Sequence, residues 1–270
     1  MPGNMCKLLV LVICTAAFSA FGQESWKQRW HVPLNEENAW DADQAGNVYL
    51  YNDESISKLD STGRLLLTQS AKSIGTIEKI DASNRLKIAV FSEEQQQVCY
   101  LDNALALQSD CIDLTAAGIG LAQHFATSVQ TDRIWVYDQL NSELQLITLR
   151  GNQRQTVQNL RSLLEIGTVT QLFEFSNVLY LVDSSGQVAT FDNFGTFLSG
   201  YTLSPGYVQA FDKGVLYSKA GSIFARAAES EEETPFFALA GSEPISCFHF
   251  AADYLYISTA TSLTCCQLLP

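Results

Sequence analysis

The chain has 270 residues, 47% of them apolar, with 29 acidic against 16 basic side chains and a formal net charge of −13. A chain this long and this apolar can bury a large core, which excludes a disordered or fibrous protein. The acidic balance argues against a nucleic-acid partner, which needs a basic face, and against simple electrostatic docking to anionic lipid.

Lys7 begins a short positive region, residues 8–21 are apolar, and Ala20-Phe21-Gly22 places small residues at the two positions a signal peptidase reads. Residues 1–22 therefore read as a signal peptide, cleaved after Gly22, with residues 23–270 left as one domain. The apolar run is too short and too poor in flanking charge for a membrane anchor, and no other stretch is apolar enough to span a bilayer. A rival reading acylates Cys14, but Val12 and Ile13 stand where a lipoprotein signal wants small residues. Loss of Lys7 leaves 15 basic and 29 acidic side chains, a charge of −14.

After this leader, one short pattern returns about six times at a spacing of about 40 residues. Each round has an entry stretch, a turn, an apolar strand, a second turn and two more strand-like runs. The apolar strands are Val48-Tyr49-Leu50-Tyr51, Leu86 to Phe91, Ile134-Trp135-Val136-Tyr137, Val178 to Val182, Val215-Leu216-Tyr217 and Tyr254-Leu255-Tyr256-Ile257. Turns are marked by Asp43-Gln44-Ala45-Gly46-Asn47, Asp60-Ser61-Thr62-Gly63, Asp183-Ser184-Ser185-Gly186 and Asp192-Asn193-Phe194-Gly195, where glycine supplies positive φ. Residues 157–166 break the pattern. Leu160, Leu163 and Leu164 there have helical spacing and predict a short helix in a loop. The acidic run 229–233 predicts a solvated loop.

The period predicts an all-β fold, a six-bladed β-propeller of four-stranded blades. The last round lacks a fourth strand before the chain stops at Pro270. Residues 25–32, Ser-Trp-Lys-Gln-Arg-Trp-His-Val, alternate in character and can supply it. The ring is therefore expected to close by the N-terminal strand completing the last blade, which hides two strand edges. Tyr49, Trp135, Tyr180, Tyr217 and Tyr256 recur at matching places and are expected to pack between blades.

These turn and strand segments resemble the six-bladed propellers of the NHL-repeat and gluconolactonase-like families, over nearly the whole mature chain. Lys79-Ile80-Asp81-Ala82-Ser83-Asn84, Trp135-Val136-Tyr137-Asp138-Gln139 and Phe191 to Thr196 look like an uncharacterised group of exported bacterial propellers. That resemblance implies an envelope location, periplasmic or outer-membrane-associated, and carries no catalytic residue across. Lactonase-type propellers hold Ca²⁺ in the central channel with Glu, Asn and Asp from the inner strands. The matching places here are near Asp41, Asp81, Thr127, Glu174, Asp212 and His249. Asp41, Asp81 and Glu174 are the candidate ligands, with His124 or His249 as base, although the Asn ligands have no counterpart. Turn-making or channel-lining carboxylates are the competing account.

His31 belongs to the closing strand and is expected at the periphery. His124 and His249 lie near inner strands and are candidates to approach across the axis, but two imidazoles do not complete a zinc site. No nucleophile elbow, phosphate loop or dinucleotide fingerprint occurs. No catalytic residue and no cofactor are assigned.

Five cysteines follow the leader: Cys99, Cys111, Cys247, Cys265 and Cys266. A turn centred near Asn103 places Cys99 opposite about Gln108, so a Cys99–Cys111 bond requires a wider loop. Cys265 and Cys266, as strand neighbours, point to opposite faces. Buried free thiols are the expectation.

The leading functional expectation is a non-enzymatic scaffold that binds another protein of the bacterial envelope, as an accessory of outer-membrane assembly or secretion. The propeller subunit of the outer-membrane barrel assembly machinery offers an analogy, with a different blade count. Residues 157–166 and 229–233 are the candidate contact regions. The alternative is a Ca²⁺-dependent lactonase-like or esterase-like hydrolase. A carbohydrate-binding disc would need surplus exposed aromatics, and none stands out.

Overall fold

In a computed structural model of the chain, residues 26–35, 39–53, 55–148, 154–228, 230–239 and 243–269 are described. The leader reading, with Lys7 and Cys14, lies outside them. Within them the chain forms 24 strands and one short helix. The strands assemble into six antiparallel four-stranded sheets, each made of consecutive strands except one.

Blade one holds β2 (Ala39–Ala42), β3 (Val48–Tyr51), β4 (Ser55–Leu59) and β5 (Leu65–Ser70). Blade two holds β6 (Lys79–Asp81), β7 (Ile88–Ser92), β8 (Gln97–Leu101) and β9 (Ile112–Asp113). Blade three holds β10 (Ala122–Thr127), β11 (Arg133–Asp138), β12 (Glu143–Thr148) and β13 (Arg154–Val157). Blade four holds β14 (Val169–Phe175), β15 (Val178–Asp183), β16 (Gln187–Asp192) and β17 (Phe197–Thr202). Blade five holds β18 (Val208–Phe211), β19 (Gly214–Lys219), β20 (Ser222–Ala227) and β21 (Glu233–Ala238). Blade six is the exception. Its strands β22 (Cys247–Ala251), β23 (Tyr254–Ser258) and β24 (Ser262–Leu268) are completed by β1 (Trp26–Pro33), the first strand of the chain.

The closure expected from the sequence is therefore present, and its register runs from Trp26 opposite Leu268 to Pro33 opposite Ser262. Trp26 packs edge-on against Phe236, Phe237 and Phe250. Trp30 lies against Tyr256 and donates its indole N–H to the Ser61 carbonyl at 2.9 Å. A Cβ on Gly63 would stand 2.9 Å from that indole, so this turn needs glycine for contact as well as for its φ of +79°.

The core is divided among six apolar clusters, one per junction between blades. Strand alternation explains this, because the two faces of each sheet meet different neighbours. Tyr49, Trp135, Tyr217 and Tyr256 are almost wholly buried in these clusters, and Tyr180 stacks on Phe173 at 4.9 Å. The recurring aromatics are thus inter-blade packing.

The turns share one chemical device. Asp43, Asp60, Asp102, Asp183 and Asp192 each end or directly follow a strand, and one carboxylate oxygen accepts the backbone N–H groups two and four residues on. Each carboxylate replaces strand bonds that the chain gives up as it reverses. Gly186 completes one such turn at φ +87°, with the Leu203 carbonyl 2.3 Å from where a Cβ would lie.

One expectation is corrected. Cys99 and Cys111 form a disulfide, their Cα atoms 4.3 Å apart. The turn does bring Gln108 opposite Tyr100, its N–H bonding that carbonyl at 2.9 Å. The chain then bulges before rejoining the sheet, where Val98 faces Ile112. That two-residue shift puts Cys111 across from Cys99. Cys247, Cys265 and Cys266 are free thiols, as expected.

The short helix expected within residues 157–166 is present, α1 (Leu160–Leu164), and Leu160 and Ile166 are buried in the cluster between blades three and four. Arg161 and Ser162 beside them are exposed. In the acidic run, Glu231 and Glu232 are exposed and Glu233 already belongs to β21.

Candidate functional site

The inner strands β2, β6, β10, β14, β18 and β22 surround a central cavity of about 1280 Å³. Its lining includes Trp40, Asp41, Lys79, Asp81, His124, Gln171, Glu174, Gln209 and His249.

Most of these polar groups are spent on joining one blade to the next. From blade one, Asp41 accepts the Ala82 N–H at 2.8 Å. From blade two, Asp81 accepts the Thr127 N–H at 3.1 Å and its hydroxyl at 2.6 Å. From blade three, the His124 Nε2–H donates to the Val169 carbonyl at 2.9 Å. From blade four, the Gln171 carboxamide donates to the Val208 carbonyl and accepts the Val208 N–H, at 3.1 and 2.9 Å. From blade five, Gln209 makes the same reciprocal pair with Phe250, at 2.9 and 2.8 Å. Lys79 adds a brace across three blades, its ammonium donating to the carbonyls of Phe125 and Leu172 at 2.9 and 2.8 Å.

The electrostatics follow from enclosure. Burial, reinforced by the neighbouring Asp81, pushes the Asp41 carboxyl up to about 7. Burial opposes ionisation of Asp81 too, but the Lys79 ammonium and hydrogen bonds from Ser83 and Thr127 outweigh it and hold this carboxyl below its ordinary value. Burial lowers Lys79, against the pull of Asp81 and Asp41. Burial also drives His124 and His249 down to about 4, so both imidazoles are neutral at physiological pH.

The sequence candidates separate on this geometry. Asp41 and Asp81 lie in each other's field. Glu174 is committed to blade three, accepting the Trp135 indole N–H at 3.1 Å and the Val129 N–H at 3.3 Å. Asp212 is exposed in a turn of blade five. Among the described residues, no three His, Cys, Asp or Glu side chains gather as a metal cluster. His124 bonds along the ring to blade four instead of reaching across to His249. His31 is exposed on the outer strand, bonded to Thr264 at 2.9 Å.

What the sequence reading missed is the role of Gln171 and Gln209. A glutamine on an inner strand carries no motif. The available signal was its recurrence in the inner strands of successive repeats.

The ring and its channel define a six-bladed β-propeller. The solved structures it resembles include virginiamycin B lyase from Staphylococcus aureus, with a TM-score of 0.63 at 9% identity, covering 91% of this chain and 100% of that one. The WD40 domain of Neurospora crassa Pan2 superposes with a TM-score of 0.64 at 8% identity, covering 92% and 97%. A streptogramin B lyase gives 0.58 at 12% identity, covering 89% and 98%. At these identities the likeness is one of fold. No protein-family model matches the chain, and no curated protein shows significant sequence similarity. Among the described residues no helix is long and apolar enough to cross a membrane.

Proposed function

We propose that this propeller is a non-enzymatic scaffold that docks another protein through one face of the ring. Calling the strands of a blade A to D from the axis outward, antiparallel order puts every A–B and C–D turn on one face and every B–C turn and blade-to-blade connection on the other. The described residues include ten exposed large apolar side chains, and nine belong to the first face. Leu86 and Val129 are in A–B turns. Leu107 and Phe194 are in C–D turns. Leu65, Leu66, Phe197 and Leu198 open D strands just after C–D turns, and Leu269 follows the last C strand. Leu140 alone is on the second face. This asymmetry is the observation that carries the reading, because exposed apolar side chains gathered on one side mark an interaction surface.

The two contact regions expected from sequence lie on opposite faces. Glu231 and Glu232 are in a C–D loop, beside the apolar set, and contribute an acidic rim. Residues 157–166 connect two blades on the second face, where Leu160 and Ile166 anchor them in the core. Commitment of the channel carboxylates to blade-to-blade bonds supports a structural use of the channel over a hydrolytic one.

The proposed setting is the bacterial envelope, periplasmic or outer-membrane-associated, and the proposed role is an accessory of assembly or secretion. Support for the setting comes from the leader-like sequence of residues 1–22. The test is site-specific photocrosslinking in intact cells, with the probe placed at Phe194 or at Leu140. A discrete protein adduct from Phe194, with none from Leu140, fits the reading. Equal labelling from both faces, or none from either, contradicts it.

A further inference from the structure

One charged group in the channel is held by the main-chain carbonyls of other blades. The Lys79 side chain leaves blade two, and its ammonium donates to the Phe125 carbonyl of blade three at 2.9 Å and to the Leu172 carbonyl of blade four at 2.8 Å. The same ammonium lies over the Phe125 ring, 5.3 Å from its centre. Asp81 of blade two and Asp41 of blade one act on it electrostatically. Four blades therefore contribute to one place in the wall. Carbonyl oxygens, an aromatic face and nearby carboxylates are the surroundings that favour a cation.

The Ca²⁺ ion that the lactonase resemblance implies does not fit this donor set. Glu174 is bonded to Trp135 and Val129 of blade three. Asp41 and Asp81 each accept an N–H group of the following blade. Ca²⁺ takes about six to eight oxygen ligands. A positive charge already fixed beside Asp41 and Asp81 also repels a second one, most strongly where water is scarce.

We propose that the channel wall contains a site for a primary ammonium group, and that Lys79 fills it from within in place of a metal ion. The chain carries its own cation on a tether long enough to take blade two's charge to the carbonyls of blades three and four. An ammonium has N–H donors and no acceptor, so it matches two carbonyls and an aromatic face. A site follows from this once the tether is cut. Lys79→Ala leaves the Phe125 and Leu172 carbonyls without their donor, and the space it vacates takes a soluble primary amine in its protonated form. Lys79 and Leu172 line the central cavity, which gives that amine its way in. The site stands independently of which outer face docks a protein.

The experiment measures the melting temperature of Lys79→Ala during titration with propylammonium chloride, which restores the carbons and the ammonium that the substitution removes. A saturable rise of about 2–4 °C is expected, the shift that a modest binding free energy gives in a domain of this size. The controls are 1-propanol, which lacks the charge, and tetramethylammonium chloride, which lacks the N–H groups. Each should act at least tenfold more weakly. Lys79→Met fills the space without charge and should not respond to propylammonium. A second measurement needs no substitution. At pH 7 the assigned Lys79 Nζ signal in the ¹H–¹⁵N spectrum of the wild-type protein should be that of a charged ammonium with slowly exchanging protons, and Ca²⁺ should not move it. Rescue by 1-propanol equal to that by propylammonium means space filling only and overturns the proposal. So does equal rescue by tetramethylammonium, or a folded Lys79→Ala that no amine stabilises. A neutral Lys79 amine, or a signal that Ca²⁺ shifts saturably, overturns it whether or not the variant folds.

Discussion

The Trp26 indole N–H donates to the carbonyl of Phe236 at 3.3 Å, across 210 residues of sequence, and its ring rests among Phe236, Phe237 and Phe250. Through this contact the closing strand of blade six also grips blade five. On its other side Trp30 grips the Ser61 turn of blade one. The closing strand therefore holds three blades together, which makes it the place where loss of few residues should cost most.

Trp26→Ala should destabilise the ring by about 2–4 kcal/mol, the usual range for truncating a large aromatic that is partly buried. Deleting residues 26–33 should abolish the cooperative fold, since a whole domain is stable by only about 5–15 kcal/mol. Urea unfolding of the substitution, and chromatography with circular dichroism of the deletion, measure the two effects. A deletion variant that melts like the full chain would contradict the closure energetics.

Cys111→Ser should cost about 3 kcal/mol, the chain-entropy value for a loop of this size. Intact-mass analysis with and without reductant should show one disulfide, and peptide mapping should join Cys99 to Cys111. Cys265 and Cys266 should alkylate only after unfolding, since both are buried and burial raises both thiol pKa values, Cys265 to about 12.

Stability should fall on acidification from pH 6.5 toward 4. The unfolded chain takes up protons at His124 and His249 near their ordinary value of 6.5, while the folded forms resist until about 4. Each contributes a slope of about 1.4 kcal/mol per pH unit inside that window. Asp41 has the opposite sign. Its folded pKa is raised, so its stabilising contribution is present at low pH and lost as pH rises through about 7. Asp41→Asn should therefore steepen the acid loss, and His124→Gln should flatten it. Denaturant titrations between pH 4 and 8 check both signs.

Phe194→Ser with Leu86→Ser should remove partner binding while changing stability by less than about 1 kcal/mol, because surface substitutions away from buried features are usually small. Leu140→Ser, on the opposite face, should leave binding intact. A quantitative pull-down with the crosslinked partner reads the difference. Loss of binding by Leu140→Ser alone would place the interface on the wrong face for the proposed scaffold.

Rings of repeats are legible in sequence because their signals are local. An apolar strand such as Ile134-Trp135-Val136-Tyr137 and a turn such as Asp192-Asn193-Phe194-Gly195 declare themselves within a few residues, and their period counts the blades. The spare strand at residues 25–32 was legible for the same reason, since the last round visibly lacks one. The Cys99–Cys111 bond was not, because a bulge between Gln108 and Ile112 shifts the register, and a bulge has no fixed local code. Glu174 looked equivalent to Asp41 and Asp81, yet its carboxylate belongs to Trp135.

The sequence by itself determined the fold class, the number of blades and the manner of closure, all consequences of strand period and turn chemistry. Only the tertiary structure decided which side chains tie one blade to the next and which face gathers the exposed apolar residues. Those relationships join residues about 40 to 210 positions apart. They depend on how each strand's two faces are aimed at different neighbours, and this becomes fixed only when the ring is closed.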